Sequence, residues 1–273
     1  MDLTDQRILV TGGAGFVGSH LVDRLLADGA AVTVVDDCSN GSRDRVADDA
    51  RFVEADLTDP DALDGVLGDV DLVFHLAASK LVNTDRPHGQ FEDNTQMTLN
   101  LLEAMADADV TQIAYTSSST VYGEAPRPTP EDYAPLEPIS AYGASKLADE
   151  GLLSARAHSH DLTVWTFRFA NVVGSGLRGA VIPDFIEKLT ENPETLTILG
   201  NGRQEKSYLH IDDCVDAMLH IVTHADKAVN TYNLGTRTTT SVDRIAAIVA
   251  DELALDPDYE YTGGDRGWTG DVP

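Results

Sequence analysis

From residue 6 to residue 170 the chain alternates apolar, β-rich runs with helical stretches. The runs Arg7–Val10, Ala31–Val35, Arg51–Glu54, Val70–His75, Thr111–Thr116 and Leu162–Phe169 are mostly continuous in apolar character. That pattern suits parallel strands covered on both faces. Between them Phe16–Ala27, Phe91–Ala106 and Ala141–His158 read as helices, the first with Val17, Leu21 and Leu25 at four-residue spacing. The alternation predicts an α/β protein built on a Rossmann-type, doubly wound parallel sheet. Beyond residue 170 the rhythm breaks into shorter elements punctuated by Gly174, Gly176, Gly179, Pro183, Pro193, Gly200 and Gly202. The expected organisation is a sheet domain over residues 1–170 and a smaller, interleaved C-terminal lobe over 171–273, joined without a linker.

Charge changes the picture most. The 46 Asp and Glu face 19 Lys and Arg, a formal net charge of −27. Such a surface excludes nucleic-acid binding by phosphate neutralisation and attraction to anionic membranes. No stretch approaches the roughly 18 apolar residues of a membrane span. The acidic start Met1-Asp2-Leu3-Thr4-Asp5 runs straight into a strand, so no secretory or transit peptide is expected. Cys38 and Cys214 have neither metal-ligand spacing nor the density of a disulfide framework. The expected location is a reduced cytoplasm, with no resident metal.

The acids comprise 33 Asp and 13 Glu, against 14 Arg and 5 Lys, and are dispersed along the chain rather than gathered in a tail. A dispersed excess describes a solvated surface adapted to a salt-rich cytosol, as in halophilic archaea. At about 1 M salt the Debye length is roughly 3 Å and self-repulsion is screened, whereas at about 0.01 M it is roughly 30 Å.

The first strand enters Thr11-Gly12-Gly13-Ala14-Gly15-Phe16-Val17-Gly18 and then a helix. Gly13, Gly15 and Gly18 fit G-x-G-x-x-G, while Gly12, Gly15 and Gly18 fit T-G-x-x-G-x-x-G. Either form supplies a tight turn, close backbone approach to a pyrophosphate and free N–H groups at a positive helix end. Asp36 ends the second strand eighteen residues past Gly18, where a carboxylate binds ribose hydroxyls and repels a 2′-phosphate. NAD is therefore expected over NADP.

Tyr142-Gly143-Ala144-Ser145-Lys146 sets a tyrosine and a lysine four residues apart, on one helical face. A free phenol ionises near pH 10, so use as a base near neutrality needs about 4 kcal/mol. One ammonium at about 4 Å supplies roughly that much at an effective dielectric near 20. Upstream, Thr116-Ser117-Ser118-Ser119-Thr120-Val121-Tyr122-Gly123 puts hydroxyls at the carboxyl end of a central strand, where such sheets bind ligands. Ser117 and Ser119 read equally well as turn hydroxyls capping backbone.

These segments resemble the extended short-chain dehydrogenase/reductase superfamily, in its NAD-dependent nucleotide-sugar epimerase/dehydratase branch. The resemblance rests on TGGAGFVGSH, DDCSNG, Asp56-Leu57, His75-Leu76-Ala77-Ala78, SSSTVYG, YGASK, RFANVVG, YLHIDDCVDAM and the final GDVP. It implies NAD contacts from Gly12, Gly15, Phe16, Val17, Gly18, Asp36, Asp37, Ser39, Asn40, Gly41, Asp56 and Leu57. Further contacts follow from Leu76, Ala77, Ala78, Lys80, Asn94, Thr116, Tyr142 and Lys146. It also implies Tyr142 as the base, Lys146 as its partner on the nicotinamide ribose, and Ser118 as the hydroxyl that bonds the substrate. For a sugar nucleotide it implies Lys80, Ser118, Ser119, Tyr142, Asn171, Arg178, Lys206 and Arg266. A homodimer through the helices Phe91–Ala106 and Ala141–His158 is implied as well.

Where similar dehydratases carry an acidic T-D-E-V-Y-G strand end, this chain has Ser118-Ser119-Thr120. Without a carboxylate there, elimination lacks its acid and base. The expected reaction is then 4-epimerisation, most simply of a UDP-hexose of the UDP-glucose and UDP-galactose type. Another sugar-nucleotide oxidoreductase of the branch (dehydratase, reductase or decarboxylase) and a non-catalytic NAD-binding scaffold stay open at this point. Three departures stand out: Lys206 replaces an arginine of the pattern, Trp268 replaces another, and the pattern runs on past the position of Pro273, so a truncated chain is expected.

Overall fold

The computed structural model describes residues 2–79, 86 and 88–264. The chain forms two units, the first running to Phe169 and taking in Ile211–Leu234, the second comprising Ala170–His210 and the residues from Gly235.

The first unit contains β1 (Arg7–Thr11), α1 (Phe16–Ala27), β2 (Ala31–Asp36), β3 (Arg51–Glu54), β4 (Leu72–His75), α2 (Gly89–Asp107), β5 (Gln112–Ser118), α3 (Ala141–Ser159) and β6 (Thr163–Phe169). The second unit opens with β7 (Asn171–Val173), α4 (Val181–Glu191), β8 (Thr195–Ile198), β9 (Glu205–Lys206) and β10 (Tyr208–His210). The chain then returns to the first unit for α5 (Ile211–His224) and β11 (Val229–Leu234). It closes in the second with β12 (Thr240–Ser241), α6 (Val242–Glu252) and β13 (Asp258–Tyr261).

The central sheet has seven parallel strands in the order β11-β6-β5-β4-β1-β2-β3. The order reverses direction between β1 and β4, and the crevice beyond the carboxyl ends of strands at such a switch point is where these sheets take ligands. Alternate strand residues serve opposite faces. Leu9, Val73, Ile113, Tyr115 and Val164 pack with Met97 and Leu101 of α2 and Leu153 of α3. Ile8, Val10, Leu72, Phe74 and Phe167 are equally buried from the other side.

One segment from residues 171–273 lies in the first unit. Ile211–Leu234 belongs with the sheet domain, because β11 extends the sheet by pairing with β6, Val229 opposite Val164. The Val229–Leu234 run is half polar, with Asn230, Thr231 and Asn233, and so lacks the continuous apolar character that marks the other strands.

In the second unit Phe185 and Leu189 of α4, Leu196 and Ile198 of β8, and Ile245, Ala246 and Val249 of α6 form a separate small core. Three two-stranded pairs complete it: β7 with β10 and β8 with β13 in parallel, β9 with β12 antiparallel. Among the described residues no helix is long and apolar enough to cross a membrane.

Candidate active site

The turn between β1 and α1 is built by close approach. Gly12 adopts φ +70°, and a Cβ there would lie 2.6 Å from the Ala77 nitrogen in the loop after β4. A Cβ on Gly13 would lie 2.6 Å from Val34 Cγ1 of β2, and one on Gly18 would collide with Gly12 O. Glycines of both patterns are thus required by close packing, Gly12 against the backbone after β4 and Gly13 against β2. Gly15 caps α1 without any side-chain bond, so the N–H groups opening the helix keep their donors for an external acceptor.

Asp36 closes β2 beneath this turn and is 9% exposed. Its Oδ2 accepts from the Ala14 N–H over 2.9 Å and its Oδ1 from the Cys38 N–H over 2.8 Å. Burial raises the carboxyl above its ordinary range, against the lowering effect of those two bonds. The loop after β2 then folds back on the glycine turn: Ser42 N–H donates to Ala14 O, and a Cβ on Gly41 would lie 2.7 Å from the same carbonyl. Asp37 is exposed and accepts from the N–H and hydroxyl of Ser39, itself exposed like Asn40. Asp56 is exposed and accepts from Thr58. Leu57 instead sends its side chain into the core, 3% exposed, while its carbonyl accepts from Asn100.

Ser118 is the last residue of β5, with Ser119 exposed beyond it in a 3₁₀ turn over Ser119–Tyr122. Both the N–H and the hydroxyl of Thr120 donate to Ser118 Oγ, at 3.2 and 3.0 Å. The start of α3 is pressed onto the same turn, since a Cβ on Gly143 would lie 2.8 Å from Thr120 O. The neighbouring Ser140 hydroxyl caps the helix by accepting from Gly143 N–H. The turn that follows Ser118 and the start of the helix that carries Tyr142 are therefore held together by backbone packing.

Asn94 of α2, 3% exposed, ties two parts of this region together. Its Oδ1 accepts from Ser79 N–H over 2.7 Å and its Nδ2 donates to Ser145 Oγ over 3.0 Å, while Ser145 Oγ donates to Tyr142 O. Thr116 Oγ1 reaches the carbonyl of His75. Leu76, Ala77 and Ala78 follow β4 directly, with the Ala77 N–H donating to Thr11 Oγ1.

The tyrosine–lysine pair is arranged differently from the expectation. Lys146 is 2% exposed, and its Nζ stands 4.6 Å from the centre of the Tyr115 ring and 5.8 Å from that of Tyr142. Burial, followed by the negative charge of Asp149, pushes the Tyr142 phenol above its ordinary range. The lowering expected from Lys146 alone is outweighed in this arrangement, first by burial of the phenol and then by a carboxylate on the same helix.

That carboxylate, the Tyr115 hydroxyl and His75 were not singled out as functional in the sequence. Tyr115 donates to Asp149 Oδ2 over 2.7 Å. His75 is 1% exposed, with one ring nitrogen 2.7 Å from Thr11 Oγ1 and the other 3.2 Å from Thr98 Oγ1. Burial, then the Lys146 charge, lowers its imidazole to about 3. The available signal was the three-residue step from Lys146 to Asp149, which puts both on one face of α3.

The remaining described residues of the expected sugar-nucleotide site belong to the second unit. Asn171 opens β7 and donates through Nδ2 to Ser207 O over 3.1 Å. Lys206 lies in β9, half-buried, and Arg178 is exposed before α4. Lys80 and Arg266 lie outside the described residues, as do Trp268 and the final GDVP.

Comparison with known proteins agrees with this fold. The model of the NAD dependent epimerase/dehydratase family matches residues 8–235. The UDP-glucose 4-epimerase of Mycolicibacterium smegmatis is 36% identical over 270 residues, covering 93% of this chain and 85% of that protein. A crystal structure of UDP-galactose 4-epimerase superposes with TM-score 0.87 at 40% identity, covering 98% of this chain and 87% of that one. The UDP-glucose 4-epimerase of Thermus thermophilus, solved in complex with NAD, gives TM-score 0.87 at 31% identity, covering 98% and 88%. The side-chain-free turn at Gly12, Gly13 and Gly18, the open N-terminus of α1 and the Asp36 carboxylate are a fit for the adenine dinucleotide. The chain belongs to the NAD dependent epimerase/dehydratase family.

Proposed function

We propose that this protein is an NAD-dependent nucleotide-sugar 4-epimerase whose substrates are UDP-glucose and UDP-galactose. The observation that carries the reading is the pairing of an intact Ser118, Tyr142 and Lys146 set with a strand end that holds no carboxylate at 118–120. The names of the relatives support the UDP-hexose. When bound, NAD accepts a hydride from the sugar and returns it.

Tyr142 takes the proton of the C4 hydroxyl and gives it back after the 4-keto sugar has turned over. Ser118 Oγ, already accepting twice from Thr120, has its own proton left to donate to the C4 oxygen. Lys146 supplies positive charge beside the phenol, and Asn94 fixes the first turn of α3 through Ser145. Asp36 holds the adenosine ribose and selects NAD over NADP. Asn171, Arg178 and Lys206 supply polar and cationic groups for the diphosphate, together with Lys80 and Arg266.

The acidic surface supports operation in a salt-rich cytoplasm, and α2 and α3 are the faces through which two copies pair. Incubation with UDP-galactose, followed by chromatography of the sugar nucleotides, tests the activity. The expected result is a mixture with UDP-glucose and no net gain in NADH absorbance. Tyr142→Phe is expected to lose about 10²–10⁴-fold in rate while still binding NAD. Full turnover by that variant would overturn the assignment of the base.

A further inference from the structure

Asp149 is 1% exposed and lies between the sheet and helix α2, three residues after Lys146. From β5 the Tyr115 hydroxyl donates to its Oδ2, whereas its Oδ1 is buried without a hydrogen-bond partner. From α2, Thr98 faces the same carboxyl, and its Oγ1 lies 3.2 Å from the buried ring of His75 on β4. On α3 itself Lys146, Tyr142 and Glu150 are its charged and titratable neighbours. Glu150 is in turn engaged by Arg168 of β6 over 2.7 Å. Tyr115 thus touches both partners, carrying Lys146 Nζ over its ring face and Asp149 on its hydroxyl.

Resting on the epimerase reading, we propose that Asp149 is a positioning residue whose negative charge, held by the Tyr115 hydroxyl, keeps a proton on the Tyr142–Lys146 pair and so sets the pH at which that pair becomes a base. The pair gives up its first proton as a unit. Whether that proton leaves the phenol or the ammonium, the pair's net charge falls by one, and a carboxylate nearby opposes the change. Burial raises the Asp149 carboxyl to about 6, even against the lowering effect of the Lys146 charge and the Tyr115 bond. Asp149 therefore changes its own charge just below neutrality, so its restraint on the pair weakens in mild acid. His75 takes no part in this range, because burial keeps its ring neutral.

The test compares wild type, Asp149→Asn and Tyr115→Phe in two measurements. One is the ultraviolet absorbance of tyrosinate against pH, with the Tyr142 step isolated by difference from Tyr142→Phe. The other is the acidic limb of the kcat/KM profile. Asp149→Asn keeps an oxygen for the Tyr115 hydroxyl and removes the charge. It is expected to move both the Tyr142 step and the acidic limb down by on the order of one pH unit. Tyr115→Phe takes away a bond that stabilises the carboxylate, which changes its charge only near pH 6, so it is expected to move the acidic limb the same way by less and to leave the tyrosinate step in place. If Asp149→Asn does not fold, the shift of the acidic limb in Tyr115→Phe decides. An unchanged tyrosinate step in folded Asp149→Asn, or an unmoved acidic limb in Tyr115→Phe, would overturn the role of Asp149. The tyrosinate titration needs no turnover, so a chain that shifts as expected but fails to interconvert sugars would refute the epimerase reading alone.

Discussion

Arg168 of β6 grips Glu150 of α3 with two parallel bonds, Nε to Oε1 at 3.0 Å and Nη2 to Oε2 at 2.7 Å. The two side chains are only 7% and 11% exposed. Ser117 Oγ also donates to Glu150, and Arg168 Nη1 continues to the Tyr122 hydroxyl. Through Glu150 these bonds lock the helix that carries Tyr142 and Lys146 to β6 and, by Ser117, to the strand that ends at Ser118. A buried pair is far more costly to break than to lack, because the surviving charge stays desolvated. Glu150→Ala is expected to lose about 3–5 kcal/mol of stability. Urea unfolding at constant salt measures this, and a loss below about 1 kcal/mol, the ordinary worth of an exposed pair, would contradict the locking role.

Glycine conformation separates the cofactor turn from an ordinary loop. Gly12 at φ +70° sits against the backbone of Leu76 and Ala77, whereas Gly65 at φ +68° has nothing within 4 Å of its would-be Cβ. Both Gly12→Ala and Gly65→Ala carry left-handed strain of about 1–3 kcal/mol. Only Gly12→Ala is expected to weaken NAD binding, by tenfold or more, a difference of at least ~1.4 kcal/mol. Fluorescence titration with NAD checks it, and equal affinities in the two variants would count against this turn as the pyrophosphate site.

The buried His75 makes stability depend on pH with a definite sign. Its imidazole is lowered from 6.5 to about 3 in the folded chain, so the unfolded chain binds more protons between those values. Stability conferred by His75 is then complete above about pH 6.5 and is lost as pH falls toward about 3. Asp149, raised to about 6 chiefly by burial, works in the opposite direction over the narrower window from 3.8 to about 6. The two effects largely offset, and the net expectation from this cluster is acid destabilisation of only about 2 kcal/mol. His75→Asn, less stable at pH 7, is expected to show a flatter decline between pH 6.5 and 4 in urea melts. Parallel curves for variant and wild type would remove His75 as the cause.

Much of the first unit is legible because its strands are apolar throughout and its helices periodic. Arg51–Glu54 and Phe16–Ala27 coincide with the expected bounds, and α3 starts at Ala141 as read. The seventh strand is not legible, since Val229–Leu234 is half polar and follows a stretch with the character of another lobe. At the site, residue spacing identifies Tyr142 with Lys146 and the glycine turn. It does not reveal what faces them. Asp149 and Tyr115 lie 34 positions apart and meet only because α3 covers β5. Leu57, grouped by motif with the cofactor, is drawn into the core because burying a leucine there yields about 1.5–3 kcal/mol.

The surface charge of −27 gives a salt dependence of its own. Raising KCl from about 0.01 to 1 M shortens the screening length from roughly 30 to 3 Å, which removes most self-repulsion. The melting temperature is expected to rise across that series. A melting temperature that stays flat or falls would dismiss adaptation to a salt-rich cytoplasm.

The most direct test of the epimerase reading follows the hydrogen on the sugar carbon. UDP-galactose carrying deuterium at C4 is incubated with the protein in ordinary water, and the UDP-glucose formed is analysed by mass spectrometry. Oxidation and return by hydride transfer predicts that the label stays on C4. Replacement of the deuterium by solvent hydrogen would contradict hydride return and with it the proposed roles of Tyr142 and the bound NAD.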